Sequence, residues 1–232
     1  TAKDADGAYY ADYTGIMSVG WNADKYGDIS SLDDLLDPKF AGTVALNGKP
    51  AEAGAAFNGY LMANQLAGGD INNLQPGLDY FKKLKEAGNL TTVDVTNGTI
   101  DSGQTGVVFD WTYNQASYKK ELKDKGVNWK YKTFPKAQVV SYYNQAINKD
   151  APHPAAARLW EEYLYTADAQ NLWFKGGANP VLLDSMKADG TVDQATLKDA
   201  ITIEGQPVTY SNDDSTRITE WLQNNWDKTI GN

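Results

Sequence analysis

The sequence contains no cysteine, so disulfides, thiolate metal sites and cysteine nucleophiles are excluded. Histidine is nearly absent as well. The single one, His153, sits between Pro152 and Pro154 in what reads as an exposed connection, and no Ser-His-Asp arrangement can be assembled around it. HExxH and CxxC signatures are missing, which removes the usual zinc frameworks. No apolar run approaches the ~20 residues that span a bilayer. The opening segment lacks the basic, apolar and small-residue order of a signal peptide, so export would require that such a segment has been removed. Basic charge is also scarce: 21 Lys and Arg face 30 Asp and Glu, for a net charge of −9. Phosphate neutralisation needs clustered Lys and Arg, and nucleic acid is therefore not an expected partner. Internal repeats and low-complexity tracts are lacking too.

What is present is an alternation of extended and helical patterns. The 232 residues suffice for one large domain or two small lobes. Thr14 to Trp21 is β-capable, and Ser31 to Leu36 reads as a short helix with Asp33 and Asp34 near its positive end. A strand from Thr43 to Leu46 leads through the loop NGKPAEAG to a helix from about Ala53 to Leu66. An amphipathic helix follows from about Pro76 to Ala87, with Leu78, Phe81 and Leu84 on one face. Val107 to Phe109 is a short apolar strand, Gln115 to Lys125 a helix closed by Gly126, and Asn128 to Phe134 another strand. Helical runs at Ala155 to Tyr165, Ala167 to Phe174, Asp193 to Ala200 and Ser215 to Trp226 make the last third helix-rich. Interleaving of this kind predicts an α/β fold. Seven Trp and fourteen Tyr supply rings that serve the core and can also sandwich a ligand.

Five segments occur in an order that resembles the family 1 extracellular solute-binding proteins of ABC importers, a group with iron(III)-, polyamine- and phosphonate-binding members. They are GIMSVGWNADKYG; SSLDDLLDPKFAGTVAL, similar to the family's "ddLldPkykGkvai" block; GKPAEAGAAFNGY; DSGQTGVVFDWTYN; and YYNQAINKDAPHPAAARLWEEYLYTADAQNLWFKGGANPV, together spanning about residues 14 to 181. The resemblance implies an α/β, periplasmic binding protein type II-like fold, with two lobes joined by crossover strands and the ligand held in the cleft. On that pattern residues 1–17 are an N-terminal segment and crossover strand and 18–138 form the second lobe. Residues 139–232 are then the return strand and the helix-rich C-terminal part of the first lobe. Family members usually carry about one hundred further residues before the crossover strand, a size consistent with half a lobe, so the first lobe is expected to be incomplete.

The segment holding Asp110, Trp111, Tyr113 and Asn114 is the leading candidate for ligand contact, because it lies where a buried strand ends and a helix begins. Trp and Tyr faces can hold an alkyl chain or a cation, and Asp110 can pair with an ammonium group. The competing reading is a buried Asp capping the next helix with Trp111 in the core. Tyr142, Tyr143, Asn144 and Gln145 lie on the return strand, where alternation gives either Tyr142 with Asn144, or Tyr143 with Gln145, to the cleft; Tyr143 is preferred. The third candidate is the loop from Pro50 to Ala55, where the N-H groups of Gly54 and Ala55 at a helix start could receive an anion. An ordinary tight loop has the same composition, and this one lacks the P-loop pattern.

Iron-binding relatives carry adjacent tyrosines just after the strand that ends here at Asp110, whereas the corresponding positions read Tyr113 and Asn114. A neutral amide is a poor ligand for a hard trivalent ion, so iron ranks behind an organic solute. The rival from another class is a hydrolase using paired carboxylates, for which nothing singles out a pair. The resemblance implies a non-enzymatic importer component without cofactor or resident metal. It would be monomeric, exported to the periplasm or the extracellular face with lipid anchoring left open, and would deliver its solute to a permease. A polyamine or other amine-bearing solute is the first choice and a phosphonate or small anion the second.

Overall fold

The computed structural model describes residues 3–203 and 206–231. Six strands are present among them: β1 (Tyr10–Asn22), β2 (Val44–Leu46), β3 (Val107–Trp111), β4 (Trp129–Lys132), β5 (Val140–Gln145) and β6 (Asn179–Pro180). The α-helices are α1 (Ala23–Tyr26), α2 (Gly54–Leu66), α3 (Gln75–Glu86), α4 (Asn97–Asp101), α5 (Thr112–Leu122), α6 (Pro154–Leu164), α7 (Ala167–Lys175), α8 (Leu183–Asp189), α9 (Gln194–Asp199) and α10 (Asn212–Thr229). The stretch expected as a helix from Ser31 is a 3-10 turn, Leu32–Leu36, whose start is held by a capping box between Ser31 and Asp34. No helix among the described residues is long and apolar enough to cross a membrane.

The chain divides into two compact units, and β1 begins in one and ends in the other. The larger unit holds Met17–Val139 and, among the described residues, 206–231. Its sheet runs β2-β3-β1-β4, with β2 parallel to β3 and β1 antiparallel to both β3 and β4. The C-terminal half of β1 is buried from Met17 to Trp21, as a strand covered on both faces should be, and its sequence there is a nearly continuous run of apolar and small residues. Gly20 is required within it, because a Cβ there would collide with the Gln115 side chain and lie 2.8 Å from Cζ2 of Trp129. The core gathers Met17, Val19, Leu46, Tyr60, Phe81, Phe109 and Trp226.

The expectation that residues 139–232 form one unit needs correction at its end. Helix α10 packs in the larger unit, where the Trp226 ring lies 5.3 Å from Phe81 at 65° and Arg217 Nη2 donates to the Ile71 carbonyl at 3.0 Å. The cause is the stripe Ile218, Leu222 and Trp226, which recurs every four residues and is buried as one face.

The smaller unit contains, among the described residues, 3–16 and Val140–Ile203. Here the N-terminal half of β1 pairs antiparallel with β5 and β6, setting Thr14 opposite Tyr142 and Tyr13 opposite Tyr143. The β1–β5 register shifts between Ala11 and Tyr13, so Asp12 falls at the irregularity. A small core of Phe174, Leu183, Met186 and Val192 joins α7 to α8 and the loop after it. Helix α6 leaves Leu159 and Trp160 73% and 60% exposed, so its apolar face has no cover among the described residues.

Candidate functional site

In the larger unit, β2 and β3 run parallel and their C-terminal ends lie side by side, with Asn47 following one and Asp110–Trp111 closing the other. The loop after β2 leads to α2, and β3 leads directly into α5. Two helices therefore start beyond one sheet edge, the position at which open α/β sheets place polar groups. Neither start carries a capping side chain.

Asp110 is the centre of this edge and it is closed to solvent, with 0% exposure. Oδ1 accepts from the backbone N-H of Trp111 at 2.8 Å and from Asn114 Nδ2 at 2.9 Å. Oδ2 accepts from Asn47 Nδ2 at 2.8 Å and from the Tyr118 hydroxyl at 2.9 Å. Its backbone carbonyl takes the Ser18 hydroxyl at 2.6 Å. Burial pushes its pKa upward, while the hydrogen bonds from Asn114, Trp111, Tyr118 and Asn47 pull the other way. The direct ammonium contact expected of Asp110 is thus replaced by a different arrangement, a carboxylate occupied by donors of its own unit.

Trp111 is 4% exposed and belongs to the core, so its ring supports the edge from beneath. Tyr113 stacks on it at 6.3 Å and 17° and is half-buried, as is Asn114. Gly54 is exposed and Ala55 half-buried at the start of α2. The preceding residues Gly48, Lys49 and Pro50 border a cavity of about 120 Å³ shared with Leu90–Asp94 and Trp226. A larger groove of about 750 Å³, lined by Leu32, Leu66, Tyr80 and Phe134 among others, contains none of the residues predicted from the sequence as ligand contacts.

The return-strand candidates lie in the smaller unit. Tyr143 is 42% exposed and stacks on Tyr13 at 4.9 Å and 9°, and Tyr13 in turn stacks on Trp173 at 4.4 Å and 26°. Tyr142 is half-buried opposite Thr14. Gln145 Nε2 donates to Asp12 Oδ2 at 3.3 Å, and Gln170 Nε2 donates to Oδ1 at 2.9 Å. Asp12 is fully buried and desolvation raises its pKa. Tyr165 beside it is pushed up to about 12, first by its own burial and then by the Asp12 charge.

Several participants were not singled out from sequence, among them Asn47, Tyr118, Asp12 and Tyr13. Asn47 carried a usable signal, being the first polar residue after an apolar strand. Asp12 and Tyr13 lie outside the predicted strand, which begins at Thr14. Among the described residues no three His, Asp or Glu side chains gather as metal ligands.

Residues 1–200 match the family described as "Bacterial extracellular solute-binding protein". No curated protein sequence matches the chain. Among solved structures, the chain is similar to the spermidine/putrescine ABC transporter substrate-binding protein PotD of Streptococcus pneumoniae, with TM-score 0.70 and 12% identity over 98% of this chain and 71% of that one. It is also similar to iron-bound HitA of Pseudomonas aeruginosa, with TM-score 0.65 and 19% identity over 96% and 71% of the two chains. The periplasmic binding protein AfuA of Actinobacillus pleuropneumoniae, solved with fructose-6-phosphate, gives TM-score 0.66 and 19% identity over 96% and 68%. At these identities the likeness is one of fold, that of type II periplasmic binding proteins.

Proposed function

The chain belongs to the bacterial extracellular solute-binding proteins, a family that binds solutes and catalyses no reaction on them, and from that premise we propose that it captures a small polar solute for an ABC importer. The proposed working form is an exported monomer that passes its solute to a membrane permease. The observation that carries the location is the polar edge at the C-terminal ends of β2 and β3, where Asn47, Tyr113 and Asn114 combine partial exposure with fixed neighbours. Tyr143 and Gln145 are proposed as contacts of the smaller unit. Trp111 and Tyr142 are assigned to support of these groups.

An amine-bearing solute such as a polyamine ranks first, since aromatic faces and carbonyl acceptors both suit a protonated amine. A phosphonate or other small anion on the N-H groups of Gly54 and Ala55 ranks second. Iron(III) ranks behind both. It needs phenolates, and the positions after β3 offer Tyr113 beside the neutral amide of Asn114, while the Tyr118 hydroxyl is committed to Asp110.

Calorimetric titration with polyamines, phosphonates and ferric salts tests the reading. Tyr113→Ala and Asn114→Ala should each weaken the solute that binds by about tenfold, the size of one lost stacking or hydrogen-bonding contact. Unchanged affinity in both variants would move the site away from this edge.

A further inference from the structure

Asp110 is a fully buried carboxylate whose four partners are two side-chain amides, one backbone N-H and one phenol, with no cation among them. A carboxylate only accepts hydrogen bonds, so the amides of Asn47 and Asn114 must both turn their NH₂ groups inward to it. That choice fixes the other end of each amide. The Oδ1 atoms are directed away from the carboxylate, and among the described residues neither receives a hydrogen bond from the protein. Both residues are half-buried, so these oxygens belong to groups that solvent reaches.

We infer that Asp110 is a positioning residue that orients Asn47 and Asn114 as a pair of carbonyl acceptors for the N-H donors of a protonated amine. The inference rests on the solute-capture reading and names the class of solute that this edge selects. The buried charge stands one amide behind the acceptors, so the local field and the exposed lone pairs favour the same sign of ligand. A small anion meets the opposite: two carbonyl oxygens backed by a carboxylate. Tyr113, stacked on Trp111 at the same strand end, adds an aromatic ring suited to the carbon chain or the charge of an amine.

The inference separates positioning from mere support because it predicts a change in selectivity. In Asp110→Asn the new amide cannot accept from both neighbours as the carboxylate does, so at least one of Asn47 and Asn114 is free to turn its NH₂ outward. Titration of the purified chain with putrescine and, separately, with methylphosphonate reads this out. The expected result is putrescine affinity lowered by about tenfold or more, with methylphosphonate affinity unchanged or improved. Should Asp110→Asn fail to fold, Asn47→Ala and Asn114→Ala carry the same test, since each removes one acceptor and leaves Asp110 three donors. Equal weakening of both probes in these variants, or of neither, overturns the positioning role. A wild-type chain that takes methylphosphonate but no amine overturns the inference while solute capture stands. A chain that binds no solute in the wider screen removes both.

Discussion

At the scale of single residues, Asp110 and Asp12 dominate, because each holds a carboxylate away from water with neutral donors in place of a counter-ion: amides and the Tyr118 phenol for Asp110, the Gln145 and Gln170 amides for Asp12. Burial raises both pKa values, so between the unfolded value of 3.8 and the raised folded value the native state binds more protons. Their contribution to stability is therefore present at low pH and lost as pH rises through that window. Asp34, Asp193 and Asp214 act in reverse. Hydrogen bonds from Ser30 and Ser31, from Thr196, and from Arg217 and Ser211 hold them at about 2, so what they contribute is lost as pH falls from 3.8. Urea unfolding of the wild type and Asp110→Asn across pH 7 to about 4 should accordingly show the wild type gaining relative to the variant as acid is added. A difference independent of pH would mean that Asp110 titrates alike in both states. Tyr118→Phe removes one donor from the buried carboxylate and should cost about 1–3 kcal/mol in the same assay. The sequence placed Asp110 at the strand end and offered both readings, cap and contact. It could not decide, because the decision needs Asn47, 63 positions away, and Tyr118 on the following helix.

At the scale of elements, most strands and helices were legible because hydrophobic period and punctuation agree locally. The helix expected from Ala53 to Leu66 is Gly54–Leu66, and Gly126 in the left-handed region ends the turn that follows α5. Misses occur where a different force acts. The short helix α4 is set by a capping box from Thr96 to Thr99 with few apolar residues, and α8 is a seven-residue helix anchored by Leu183 and Met186. Two tryptophans make the contrast between equal chemistry and unequal surroundings testable. Trp226 of α10 is 7% exposed and packs on Tyr60 and Phe81, so Trp226→Ala should destabilise by about 3–5 kcal/mol. Trp160 of α6 is 60% exposed, and Trp160→Ala should stay within about 0.5–1 kcal/mol in this chain. Denaturant midpoints at constant m-value measure both, and comparable losses would contradict the burial seen here. Ser211→Ala removes the start of α10 from its capping box and should cost about 1 kcal/mol.

At the scale of the whole molecule, ligand binding and folding are linked by mass action. A solute present at about 100 times its Kd adds about 2.7 kcal/mol to the stability of whatever unit it contacts. For a chain of this size that corresponds to a rise in Tm of about 5–11 °C, following the ligand concentration logarithmically. A cognate solute without such a shift would mean equal affinity for folded and unfolded chains. By itself the sequence determined the α/β class, the family and the strand end where the candidate site begins, since periodicity, punctuation and motif order are written in neighbouring residues. Only the tertiary structure decided that α10 belongs with Met17–Val139, that Asp12 and Tyr13 join β5 and α7, and that the Asp110 carboxylate takes donors from Asn47 and Tyr118. Those outcomes depend on which distant side chains compete to cover an apolar stripe or to satisfy a buried charge, and that competition is settled by packing in three dimensions.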